Sequence, residues 1–133
     1  MRETLAVTTA VLYVAAVSAP AAMADQAAPR SVTYTVTSQQ PVSADIYYRD
    51  TEPPNWADYS HNPYRYSPKA SADIGPHQPW TLTVALADPD RWAMVSATSG
   101  SLEAGVRCEL AVDGVVVATG EGPRGALCSL RHW

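Results

Sequence analysis

Phenylalanine is absent from the 133 residues, so tyrosine and tryptophan must supply every aromatic contact of a core. Charged residues are scarce, 17% against 47% hydrophobic, a balance that excludes intrinsic disorder of the chain as a whole. Lys and Arg number only 9 against 13 Asp and Glu and are scattered, so affinity through neutralised phosphates is excluded and nucleic acid is not an expected partner. The length holds one domain of ordinary size, and a second is not expected. No segment of the exported part shows a long helical period. A nucleophile elbow, a Gly-rich phosphate loop and an HExxH motif are all missing, so neither a catalytic residue nor a cofactor nor a metal is expected.

What is present begins with an uncharged run over residues 5–24, preceded by Met1, Arg2 and Glu3. It is an export segment under either of two readings. Ala22-Met23-Ala24 has the small-x-small pattern of a signal-peptide cleavage site, and Pro20 stands where the apolar helix would break. Alternatively the run, about as long as the roughly 20 residues a bilayer-spanning helix needs, is retained as an anchor. Its alanine-rich make-up, diluted by Thr8, Thr9 and Ser18, favours cleavage after Ala24. Both readings place residues 25–133, a single extracytoplasmic domain, outside the cytoplasm: secreted or in the envelope, and membrane-anchored if the leader is retained. The two cysteines, Cys108 and Cys128, then read as one disulfide, although two buried free thiols would fit the same count. A metal pair is the weakest alternative, because there is no CxxC and His132 alone lies close to Cys128.

From Ser31 onward, short alternating runs of β-branched and aromatic residues are separated by turn formers, and these predict strands. The runs are Val32–Thr37, Val42–Arg49, Trp80–Leu86, Trp92–Thr98, Val106–Val112, Val115–Thr119 and Ala126–Arg131. Asp88-Pro89-Asp90 reads as a turn ahead of the fourth, and Gly120 to Gly125 as a loop ahead of the last. Asp113-Gly114 supplies the positive φ values of a type I′ turn and predicts a two-residue hairpin. Seven strands in about a hundred residues predict an antiparallel, immunoglobulin-like β-sandwich. The immunoglobulin domain itself is not indicated, since Trp80 and Trp92 precede both cysteines.

The stretch Asp50–Pro79 breaks this rhythm with six prolines and with Trp56, Tyr59, Tyr64 and Tyr66. It is too long for a passive connection and too aromatic for plain disorder, and is expected to form an ordered Ω-like excursion over an end or edge of the sandwich. Asp58, Ser60 and His61 can be drawn as a triad, and Asp58, His61, Asp73 and His77 as a metal set. Adjacency in one loop and a spacing that follows no ligand rule make solvated loop residues the better account of both. The four aromatics have two roles open to them. They are either anchors for a partner or ligand, or a clasp that packs the excursion onto the sheet.

Cys108-Glu109-Leu110-Ala111-Val112-Asp113-Gly114-Val115-Val116, followed by Ala126-Leu127-Cys128, resembles the MmpS family of mycobacterial small membrane proteins. Val32-Thr33-Tyr34-Thr35-Val36, Ala44-Asp45-Ile46-Tyr47-Tyr48-Arg49-Asp50 and Pro79-Trp80-Thr81-Leu82-Thr83-Val84 extend the resemblance over residues 31–130. The resemblance implies an extracytoplasmic β-sandwich with a Cys108–Cys128 disulfide, serving as accessory subunit to MmpL transporters of the RND type that export lipids and siderophores. A partner would meet a strand edge or the excursion, with Trp56, Tyr59, Tyr64 and Tyr66 as anchors. The rival expectation is a secreted binding module, in which the same aromatics line a site for a small apolar ligand, a lipid or a glycan, between excursion and sheet.

Overall fold

The computed structural model describes residues 28–131. The export segment of residues 5–24 and the C-terminal His132 and Trp133 lie outside the described residues. Eight strands are found: β1 (Arg30–Ser38), β2 (Val42–Tyr48), β3 (Lys69–Ile74), β4 (Trp80–Leu86), β5 (Met94–Ser99), β6 (Val106–Val112), β7 (Val115–Gly122) and β8 (Gly125–Ser129). They form two four-stranded antiparallel sheets with orders β4-β1-β6-β7 and β3-β2-β5-β8. The β-sandwich is as the alternation predicts. Inward positions Val32, Tyr34, Val36, Ile46, Val95, Val106 and Leu110 are fully buried, while their strand neighbours face outward.

Cys108 of β6 and Cys128 of β8 are disulfide-bonded, with Cα atoms 6.1 Å apart, so the bridge ties one sheet to the other through the core. Beside it β7 passes very close to β8. A Cβ on Gly120 would stand 2.4 Å from the Leu127 carbonyl oxygen and 3.3 Å from Cys108 Sγ, so only glycine fits there. Asp113 and Gly114 have φ of 51° and 82°, the left-handed pair that the β6–β7 hairpin requires. The Asp113 carboxylate reaches across to the start of β1, accepting from Arg30 Nε and the Ser31 backbone N–H, both at 3.0 Å. Those two donors hold its carboxyl below the usual carboxylate range, the Arg30 bond being the larger cause.

The differences from the predicted elements have local causes. Trp92 does not open a strand. Asp88 caps a short helix, α2 (Pro89–Trp92), by accepting from Arg91 N–H at 3.3 Å, with Pro89 in the first turn, and β5 starts only at Met94. The Gly120–Gly125 loop shrinks to Pro123 and Arg124, because β7 continues to Gly122, and β8 ends at Ser129. Within Asp50–Pro79 stand α1 (Trp56–His61), a 3₁₀ helix (Pro63–Tyr66) and β3. β3 reads Lys-Ala-Ser-Ala-Asp-Ile, an edge strand whose alternation is carried by alanines and is faint in sequence.

Candidate functional site

The strand directions gather the irregular parts at one end of the sandwich. β1 starts there, β2, β4, β6 and β8 finish there, and between them lie α1, the 3₁₀ helix, α2 and the Asp113-Gly114 turn. α1 is six residues long with none buried, too short to hold as a helix by itself. Its cap, Asn55 Oδ1 accepting from Asp58 N–H at 2.8 Å, is joined by aromatic packing. Trp56 and Tyr59 lie 5.2 Å apart by ring centroids, and both contact Trp92 of α2, at 6.3 and 5.6 Å. The Arg131 guanidinium sits 4.0 Å above Trp56.

Under this cluster is Arg49, wholly buried. Its guanidinium lies 4.5 Å from the centre of Tyr59 and 5.6 Å from that of Trp92. Nε donates to the Tyr66 carbonyl and Nη2 to Ser67 Oγ, each at 3.2 Å, while Nη1 has no hydrogen-bond partner among the described residues. No carboxylate pairs with it among the described residues, so π faces and neutral oxygens alone compensate its charge. The Tyr34 hydroxyl donates to the Arg49 carbonyl at 2.7 Å and accepts from Met94 N–H at 3.4 Å. Burial pushes this phenol up to about 12, against the partial opposing effects of the Met94 N–H and the Arg49 charge.

Between excursion and sheet runs a groove of about 390 Å³, lined by Tyr47, Pro63, Tyr64, Ser67, Met94 and Ser96. β2 and β5 supply the floor: Tyr47 and Ser96 are register partners on the outward face. Pro63, Tyr64 and Ser67 form the wall. The lining offers two phenols, two serine hydroxyls, a proline ring and a thioether, and it bears no charge. Two larger depressions differ in kind. On the outer face of β2 and β3, Ser43 bonds Asp73, and Ser71 and Lys69 both bond Asp45. At the far end Ser38 is taken by the Gln40 carbonyl. In the first the serines and carboxylates are spent on one another, and in the second Arg107 is paired with Glu109.

The four aromatics singled out in sequence therefore separate. Trp56 and Tyr59 join the cluster over Arg49, Tyr66 is buried with its carbonyl facing Arg49, and Tyr64 is 80% exposed on the wall of the groove. Asp58, Ser60 and His61 are exposed on α1, and no hydrogen bond joins their side chains. Asp73 and His77 lie at the opposite end of the sandwich from Asp58 and His61. Sequence reasoning missed Arg49, Trp92, Tyr47, Met94 and Ser96. For Tyr47 and Ser96 a signal exists, the outward phase of two alternating runs; for buried Arg49 there is none, because its strand phase points outward and the excursion and Trp92 of α2 cover it.

The disulfide marks an oxidising compartment outside the cytoplasm. Among the described residues no helix is long and apolar enough to cross a membrane. The Rv2576c beta-sandwich domain family matches residues 34–128, and the chain belongs to that family. Its relatives include the uncharacterized proteins Rv2576c of Mycobacterium tuberculosis and Mb2606c of Mycobacterium bovis. Each is 37% identical over 103 residues, a span of 77% of this chain and 67% of the relative.

Proposed function

We propose that this member of the Rv2576c beta-sandwich family is a non-enzymatic binding module of the cell envelope, exported by its uncharged run, whose groove beside Tyr64 takes a neutral glycan. The single observation that carries the reading is the lining of that groove. Tyr47 and Tyr64 present apolar faces with polar tips, Ser67 and Ser96 present hydroxyls, and the absence of charge disfavours ionic ligands. The volume is within the range of small-ligand sites, and rigid strands hold the floor. A polyhydroxylated ring matches that combination better than a wholly apolar molecule, which would cover the Ser96 hydroxyl and leave Ser67 only its bond from Arg49.

Titration calorimetry with neutral oligosaccharides tests it. Tyr64→Ala should weaken binding about tenfold, the value of roughly 1.4 kcal/mol of lost ring contact. Its melting temperature should stay at the wild-type value, because the ring is mostly outside the packed structure. Binding unchanged in both Tyr64→Ala and Tyr47→Ala would refute the site.

The second reading, an accessory subunit of an MmpL-type exporter, follows from the MmpS resemblance. It draws on one observation, that Tyr64 is a large aromatic residue left 80% exposed. A photo-crosslinker at position 64 that captured a transporter in membranes, with no glycan bound in calorimetry, would favour it.

A further inference from the structure

β7 is an edge strand, and its first three residues, Val115, Val116 and Val117, are exposed by 63%, 51% and 43%. Three consecutive exposed valines are unusual at a free edge, where natural sheets place charge or proline. Strand addition is not what this edge offers. Val116 pairs with Ala111 and Ala118 with Leu110, so Val117 is an unpaired bulge that interrupts the ladder where a partner strand would dock. The side chains remain: Val115 shares the face of Val112 and Val116 the opposite face with Ala111, so the valines form an apolar ridge that wraps around the strand edge next to the hairpin turn.

Where the chain enters the domain says what the ridge meets. The Asp113 carboxylate of that same turn binds Arg30 and the backbone of Ser31, so β1 emerges beside the ridge. Only five residues separate Arg30 from the end of the uncharged run at Ala24, six steps along the chain with a reach of at most about 20 Å. A run of this length and apolarity belongs in or on a bilayer. Whenever it is retained, its tether brings the hairpin end of the sandwich to the lipid headgroups.

We infer that the Val115–Val117 ridge docks on the lipid surface, seating the domain with the hairpin end toward the membrane and the β5–β6 connection away from it. The ridge enters only to headgroup depth, where water still satisfies the free N–H and C=O groups of the β7 edge. Attraction is apolar, since Arg30, the cation beside the ridge, is already paired with Asp113.

The test uses the full-length chain carrying one environment-sensitive dye, at Val116→Cys or, as reference at the far end, at exposed Leu102→Cys. On addition of phosphatidylcholine vesicles the label at 116 should shift to the blue and be quenched by lipids brominated near the headgroup, in high salt as in low. The label at 102 should not respond. A response equal at both positions, or absent at both, overturns the proposal, and loss of the response in high salt overturns its apolar basis. A blue shift at 116 before any vesicle is added, together with a dimer in sedimentation, would also overturn it and assign the ridge to a second copy of the chain.

Discussion

Replacing Arg49 by lysine should damage the protein more than replacing it by methionine. The wild-type guanidinium makes two charge-assisted hydrogen bonds, to the Tyr66 carbonyl and Ser67 Oγ, and lies against two rings. Such bonds contribute about 1.5–3 kcal/mol each and the ring contacts about 0.5–2 each, against several kcal/mol for desolvating a cation. Methionine gives up those contacts and removes the desolvation cost as well, and its thioether still packs between Tyr59 and Trp92. The net loss is about 2 kcal/mol. Lysine keeps the buried charge yet cannot lay a flat fork between the rings or reach both oxygens, so its loss is about 4 kcal/mol. Differential scanning calorimetry at pH 7 should show Tm lowered by about 10 °C for Arg49→Met and about 20 °C for Arg49→Lys. The lysine variant should also recover stability as pH rises from 7 toward 9. A buried lysine has a depressed pKa, so the unfolded state binds more protons and deprotonation favours the fold. A lysine variant as stable as wild type would refute the argument, because it would mean that the charge alone, and not its planar geometry, is what the cluster uses.

Cys108→Ser opens the bridge between the sheets and should cost about 3 kcal/mol for a closed loop of this size, read as a fall in Tm of at least 10 °C, with added reductant lowering wild type to the same value and leaving the variant unmoved. Tyr34 gives a pH signature: its folded value of about 12 lies above its ordinary value of 10, so the neutral phenol's contribution is fully present below pH 10 and is lost as pH rises toward 12. That contribution is about 3 kcal/mol, and chemical denaturation between pH 9 and 12 should show a fall that is absent in Tyr34→Phe. A parallel fall in both proteins would place the alkaline sensitivity elsewhere.

The sandwich was legible because a half-buried sheet writes itself into sequence with period two. Val32, Tyr34 and Val36, or Val106, Cys108, Leu110 and Val112, could form their faces in no other way. The hairpin at Asp113-Gly114 was equally plain, since positive φ at two successive positions selects that dipeptide. β3 was hidden because alanine and serine serve an edge strand as well as a loop. The disulfide followed from the export run together with an even cysteine count, and the bridge bears it out. The groove was visible only as an excess of aromatic residues in Asp50–Pro79. Which of them faces outward depends on contacts with Arg49, which directly precedes the excursion, and with Trp92 and Arg131, which are distant from it in sequence, and no local pattern links the three.

If the groove takes the proposed glycan, stability and recognition meet in those contacts. Ser67 lines the groove through one side and accepts from Arg49 Nη2 on the other, and the Tyr66 carbonyl that takes Arg49 Nε belongs to the 3₁₀ turn that carries Tyr64. Arg49 thus fixes the groove wall to the core, while Tyr47 and Ser96 fix the floor through the β2–β5 ladder. A wall held this way costs little ordering when a ligand arrives, which is how a shallow neutral groove gains affinity. It also separates two kinds of variant. Removing Tyr64 takes away contact and leaves the wall standing, so binding falls at constant Tm. Removing Arg49 loosens the wall, so binding and Tm fall together, and supplying more ligand should restore part of the lost Tm by mass action.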